Sequence, residues 1–338
     1  MSLPFFNSPS LRCVHALPGE AAPGNLLGRI EFGLGLPEPT DPRHVVVGLG
    51  ALGELPTEHW LSDLPVRHGV DDGFGWAENG EVLFGNIFVP ESELIDLERA
   101  TRKLYVRIEQ MLQRFGYPHY LRMWNFLAQI NAGDGDHERY RLFSAGRNRA
   151  LALKPNFEQA LPAATAIGTL EPGLVVYFLA GKQPGLPVEN PRQVSAFHYP
   201  RQYGPKSPSF ARATLIGSGR QARLLVSGTA SVVGHESRHA GDPLRQLDET
   251  LANVDALLAH TLATHFPGAQ ASTRPESLKL YLRDPAQLPL LEARLAALRG
   301  PQQVPLLCLQ GDVCRHDLLL ELEAIYAIDA APSASRNG

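Results

Sequence analysis

The sequence predicts an α+β protein made of two tandem units, each a mixed β-sheet covered by helices on one face. Two observations carry this. The same order of strand-like and helix-like patterns recurs in both halves, and a proline-rich connection, residues 182–207, divides them. Residues 1–181 and 208–330 are then the two units, and residues 331–338 a small polar tail expected to fray. With 338 residues, 44% of them hydrophobic, the chain has enough apolar material for two cores.

In the first unit, Glu81-Val82-Leu83-Phe84-Gly85 reads as a strand ending in glycine. A helix follows Asp96, with Leu97, Ala100, Leu104, Ile108, Met111 and Phe115 at spacings of three and four, and Gly116 placed to close it. The pattern continues with a strand over 123–130, a helix over about 138–153, and strands over 164–169 and 174–179. The second unit repeats this order. Its strand is 223–228, and its first helix starts at Pro243 with Leu247, Leu251, Val254 and Leu258 on one stripe. A strand over 278–282, a helix over 288–298 and a closing hairpin of 304–310 with 318–326 complete it.

Two short motifs match catalytic signatures without their context. Gly48-Leu49-Gly50-Ala51-Leu52-Gly53 follows an apolar run, but Pro56 and Pro65 cut short the helix that a dinucleotide site requires. His235-Glu236-Ser237-Arg238-His239 matches a zinc signature, which needs both histidines on one helical face. Asp242 and Pro243 instead read as the N-cap and first position of a helix that starts after the histidines. Both are expected to be turns, with His235 and Glu236 ordering a loop.

The net charge of -4 and a pI of about 6.3 suggest neither nucleic acid nor an anionic membrane as partner. Cys13, Cys308 and Cys314 form no disulfide framework and lack metal-site spacing, so no cofactor or metal is expected. The first ten residues lack a secretory pattern and no run has the roughly 18 apolar residues of a membrane span. A cytoplasmic protein is the expectation.

The informative anomaly is Leu318-Leu319-Leu320-Glu321-Leu322-Glu323-Ala324-Ile325-Tyr326, where two glutamates interrupt an apolar strand. Residues i and i+2 share a face, so both carboxylates point one way. With Gly168 matched to Gly311, the first unit carries Tyr177 and Leu179 at these places. Acid in one copy alone favours a pocket over a wet sheet face.

Several stretches carry a family resemblance. Tyr203-Gly204-Pro205-Lys206-Ser207, Val226-Ser227-Gly228, the helix after Asp242 and Leu320-Glu321-Leu322-Glu323 resemble the small trimeric RidA/YjgF proteins. That family's deaminases use an arginine on the penultimate strand, and the matching Pro305-Leu306-Leu307-Cys308-Leu309 has none. Over nearly its whole length the chain is similar to the chorismatases. The stretches concerned include Arg122-Met123-Trp124-Asn125-Phe126, Glu138-Arg139-Tyr140-Arg141, Ser207-Pro208-Ser209-Phe210-Ala211-Arg212, Ser227-Gly228-Thr229-Ala230-Ser231 and Gly311-Asp312-Val313-Cys314-Arg315.

The resemblance implies an enzyme that converts chorismate to pyruvate and an aromatic or cyclohexadiene acid. The family's catalytic glutamate lies seven positions after the Cys314 position, which is Glu321. A glycine at Gly228 with a cysteine at Cys314 marks formers of 3-hydroxybenzoate, some of which also yield 4-hydroxybenzoate. Cys314 would steer the ring hydroxyl and is not assigned a covalent role.

Chorismate is a dianion with an enol ether, and protonating its methylene requires a carboxylic acid whose pKa is raised. Glu321 is the expected donor. Glu323 has two readings, an ion-pair partner for an arginine or a neighbour that raises the pKa of Glu321. The first is favoured because two unpaired buried carboxylates are rarely tolerated. The substrate carboxylates call for forked arginines and hydroxyls, with Arg212 and Tyr203 first and Arg147 and Arg283 second. A RidA-type imine hydrolase and a non-enzymatic binder of aromatic metabolites are the competing readings. Monomer and trimer both fit two fused units.

Overall fold

The computed structural model describes residues 11–331, apart from residues 18, 23, 55, 219 and 220. The expected tail beyond residue 331 lies outside the described residues, as do the first ten. Five short strands come first: β1 (Arg12–Ala16), β2 (Asn25–Phe32), β3 (His44–Val47), β4 (Gly50–Ala51) and β5 (Thr57–Ser62). The first repeat follows as β6 (Arg67–Asp71), β7 (Phe74–Glu78), β8 (Val82–Val89), α1 (Leu97–Phe115), β9 (His119–Ala128), α2 (Arg139–Leu151), β10 (Ala163–Thr169) and β11 (Leu174–Gly181). The second opens with β12 (Leu186–Val188), β13 (Ala213–Ser218), β14 (Gln221–Thr229), β15 (Val232–Val233) and β16 (Glu236–Ser237). It ends with α3 (Pro243–His265), β17 (Gln270–Leu282), α4 (Leu288–Arg299), β18 (Leu306–Gln310), β19 (Asp312–Val313) and β20 (Leu320–Ala331).

The duplication is visible strand by strand. One seven-stranded sheet runs β19-β10-β9-β11-β8-β7-β6, and the other runs β4-β18-β17-β20-β14-β13-β12. In each, a parallel pair (β9 with β10, β17 with β18) is followed by an antiparallel last strand that inserts beside its first member. The expected closing hairpin is therefore not one: β17 lies between β18 and β20. Periodicity marks strands but not which neighbour they choose, and a parallel pair needs the helical crossover that α4 supplies.

Caps explain where the long helices begin and end. The Asp96 carboxylate accepts the Arg99 N–H at the start of α1, and Gly116 closes it at φ 75°. Asp242 does the same for α3 through Arg245 N–H, with Pro243 at the first turn. Helices α1 and α2 cover one face of the first sheet, α3 and α4 one face of the second.

The uncovered faces of both sheets meet in one core with a third element. Strands β1, β5, β2 and β3 form a separate four-stranded sheet, and Trp60, Ile30 and Phe32 from it pack with Tyr177, Phe126, Tyr281 and Ile325. The sequence reading placed this segment inside the first repeat. Its short strands carry little periodicity of their own.

The two loud motifs are turns. Gly50 sits in β4, which pairs with Gln310 at a sheet edge, and no helix follows it. His235 lies at the turn of the β15–β16 hairpin, where Val233 pairs with Glu236.

Candidate active site

Strand β20 sits between β14 and β17, and its residues alternate between two environments. Leu320, Leu322, Ala324 and Tyr326 face the helices, while Glu321, Glu323 and Ile325 point towards the core between the sheets. Glu321 stands opposite Tyr281 on β17, and Glu323 stands opposite Lys279. Strand β11 holds the same place in the first sheet, where Val175, Tyr177 and Leu179 face that core.

Glu321 lies at a cavity of about 550 Å³ between the two repeats. The first repeat supplies one wall, with Tyr140, Phe143 and Arg147 of α2 and Thr165 of β10. The other wall comes from the connection and the second repeat, with Tyr199, Tyr203, Arg212, Gly228 and Cys314. Gly146 makes the α2 wall possible, because a Cβ there would sit 2.3 Å from the Glu98 carbonyl oxygen of α1. Close packing of α2 on α1 delivers Arg147 to the cavity.

Gly228 is the tightest point. Strand β14 is irregular against β20 between Val226 and Thr229, a bulge that turns the backbone towards the acid. A Cβ at residue 228 would lie 1.8 Å from Glu321 Oε1, so the carboxyl occupies the space that any other residue would fill. Gly228 N–H donates to Thr165 Oγ1 at 3.2 Å, which ties the bulge to the first repeat.

The two glutamates differ in electrostatics. Burial, and then the negative charge of Glu323, push the Glu321 carboxyl up to about 8 against the opposing pull of Arg122 and Arg212. Glu321 is thus a carboxylic acid at neutral pH. Burial also disfavours a charged Glu323, but Lys279 and Arg122 overcome it and hold that group at about 2. Glu323 takes Lys279 Nζ at 2.7 Å, Arg122 Nη2 at 2.8 Å and Trp124 Nε1 at 3.0 Å, and it accepts the Thr165 hydroxyl. Both readings of Glu323 therefore hold at once. It is ion-paired, and its charge raises its neighbour.

Of the cavity's arginines, Arg141 is paired with Glu138 at 3.0 Å, but two others are not paired. Among the described residues, no carboxylate lies within ion-pair distance of Arg147 or Arg212, although both are buried. Arg147 has only Met123 Sδ at 3.8 Å and the Tyr105 ring, and its Nε–H has no acceptor. Arg212 donates to Tyr199 Oη at 2.7 Å and the Val194 carbonyl at 2.8 Å, again with an orphaned Nε–H. Buried cations left this way suit an anionic ligand.

The remaining expected residues fall in different places. Tyr203 lines the cavity, its hydroxyl 3.3 Å from His235 Nδ1 and its ring under the Arg315 guanidinium at 4.0 Å. Cys314 also lines it, and burial followed by Glu321's charge pushes its thiol up to about 12, so it is not a thiolate. Arg283 does not line the cavity. Its donors go to Asp312, Asn131 and the carbonyls of Val313, Arg315 and Leu318, where it braces the loop that carries Cys314. Spacing could not separate an arginine that reaches a ligand from one consumed by backbone carbonyls.

Sequence reasoning missed Glu58, Lys279 and Arg122 as parts of the charge cluster. A signal existed: Leu278-Lys279-Leu280 places a lysine in an apolar strand, as the glutamates are placed. Cys13, His15 and Glu58 bring ligand-type atoms within 4.8 Å of one another, but none lines the cavity. The Lys279 ammonium, 2.6 Å from Glu58, opposes a cation there. No helix among the described residues is long and apolar enough to cross a membrane.

Fold and cavity together define a duplicated α+β protein with a buried acid and two buried, carboxylate-free guanidiniums at one cavity. Residues 58–180 match the family described as "Chorismatase FkbO/Hyg5-like, N-terminal". The chain is 38% identical over 277 residues to a "3-hydroxybenzoate synthase" of Streptomyces hygroscopicus, covering 79% of this chain and 80% of that protein. It is 34% identical over 292 residues to a chorismatase of Streptomyces rapamycinicus, covering 85% and 86%. A chorismatase crystal structure superposes with a TM-score of 0.82 at 32% identity, over 94% of this chain and 98% of that one. This chain belongs to the chorismatase family.

Proposed function

We propose that the protein converts chorismate to pyruvate and 3-hydroxybenzoate, with Glu321 as the proton donor. The observation that carries this is a neutral buried carboxyl beside two buried guanidiniums that lack carboxylate partners. A dianionic enol ether fits those groups, with one carboxylate for each of Arg147 and Arg212. The family relationship supports the same reaction. Neither an imine hydrolase nor a passive binder has an observation of its own in its favour.

Glu321 gives its proton to the enolpyruvyl methylene, which leaves an oxocarbenium-like centre on the side chain. A ring hydroxyl displaces the pyruvyl oxygen, and pyruvate departs. The hydroxyl oxygen now bridges two ring carbons, and its bond to the carbon that first carried it breaks. The carbon that keeps it loses its C–H proton and the ring becomes aromatic, which balances the proton first donated. Water is not consumed, since the atoms of the two products sum to those of chorismate. Cys314, a neutral thiol beside Glu321, shapes the path of the ring hydroxyl.

Incubation with chorismate and a lactate dehydrogenase couple tests the reading. Pyruvate and 3-hydroxybenzoate in equal amounts are expected. Binding without pyruvate would overturn it, and chromatography against 4-hydroxybenzoate would show whether that isomer accompanies the main product.

A further inference from the structure

Behind Glu323 lies a chain of buried charges that the reaction itself does not touch. Glu58, on β5 of the four-stranded sheet, sits 2.6 Å from Lys279 Nζ and also accepts Trp60 Nε1–H at 2.8 Å. Lys279 reaches Glu323, Glu323 reaches Arg122, and Thr165 bonds both Glu323 and the N–H of Gly228. All four charged side chains are buried. Two negative and two positive charges alternate, so removing any one member alone leaves the cluster with a net charge.

An apolar junction between the sheets would avoid the cost of desolvating four charges. The cluster joins all three sheets and ends at the glycine against which Glu321 rests. We propose that Glu58 and Lys279 are positioning residues for Glu321: their pair fixes the charge and place of Glu323, and through Thr165 the seat of Gly228 against the acid. This rests on Glu321 being the proton donor, and it assigns the N-terminal sheet a part in catalysis without contact with substrate.

The groups facing the acid are known from each side. Glu323 shares its strand, Arg122 comes from β9 and Arg212 from the segment before β13, and Tyr140 and Cys314 close the cavity side. Tyr281 lies opposite on β17. Cys13 and His15 face Lys279 and Glu323 from β1. Glu58 and Lys279 lie outside the cavity lining and reach the acid only through Glu323, which Lys279 holds at 2.7 Å.

The test is kcat/KM for pyruvate release against pH, which reports the groups of the free enzyme, with kcat recorded beside it. The parent should lose activity as pH rises through about 8, where Glu321 gives up its proton. Glu58→Gln leaves a net positive cluster and should move that limb down by about one pH unit. Lys279→Met leaves it negative and should move the limb up by a similar amount. The double variant should return it towards the parent. Cys13→Asp adds a negative charge at the partly buried rim at the cost of only the 3.9 Å thiol contact with Ser277 Oγ, and should move the limb up even where the core variants fail to fold.

A purely structural role predicts lost protein or lost kcat with the limb unmoved. A fixed limb in the folded variants, or the same direction of movement in Glu58→Gln and Lys279→Met, overturns the proposal. If the parent turns over chorismate and the limb stays fixed, this proposal alone falls. If the parent releases no pyruvate, the functional reading falls with it.

Discussion

Glu321 and Glu323 stand two residues apart on one face of one strand, both buried to the same degree, yet they end in opposite protonation states. Glu323 is ringed by Lys279, Arg122, Trp124 and Thr165, all donors. Among the described residues, no group hydrogen-bonds the Glu321 carboxyl, which faces an open cavity beside Gly228. Burial is therefore a poor guide to what a carboxyl does. The donors around it decide, and each site makes the other more extreme, because the fixed charge on Glu323 helps keep Glu321 protonated.

The contrast can be broken first at the acid. Glu321→Gln keeps the shape and removes the transferable proton, and pyruvate release should fall by about 10³-fold, in line with the usual contribution of a general acid. Near-normal turnover in the coupled assay would remove Glu321 from the mechanism. Gly228→Ala is the next strongest probe, since the added carbon collides with Glu321 Oε1 and not with solvent. Displacing the acid by roughly 1 Å should cost about 10²-fold in kcat with the melting temperature little changed.

Glu323 should announce itself in stability. Its folded pKa of about 2 lies below its ordinary 4.5, so its contribution is present above 4.5 and lost as pH falls towards 2. Glu323→Gln should flatten that acid-side loss, on the order of 3 kcal/mol, in denaturant titrations at falling pH. An unchanged profile would show the cluster to be neutral in the fold's acid stability. The smallest effect is expected from Cys314→Ala, which should alter the product ratio on a column more than the rate. An identical mixture would release Cys314 from a steering role.

Much of this contrast was legible in the chain. A shared face for the two glutamates follows from strand period alone, and comparison with Tyr177 and Leu179 showed that only one copy is acidic. Helices α1 and α3 could be placed from Asp96, Gly116, Asp242 and Pro243 because caps are local chemistry. What resisted was long-range. Glu58 meets Lys279 across 221 positions of sequence because the four-stranded sheet docks on the second repeat, and no local pattern encodes docking. Arg283 and Arg147 are indistinguishable as letters. One is consumed by carbonyls and the other left to face a cavity only after the loops are in place.

The proline-rich connection reads as a spacer, and a spacer tolerates changes of length. This one cannot be treated so, because Tyr199 and Tyr203 lie in it and Arg212 follows five residues beyond it, all three on the cavity wall. Opposite them stand Arg147 and Thr165, which belong to the other repeat. Neither half encloses the cavity alone, and the join between them is itself part of its wall. A chain with this arrangement cannot be cut back into two separate units that each keep the cavity.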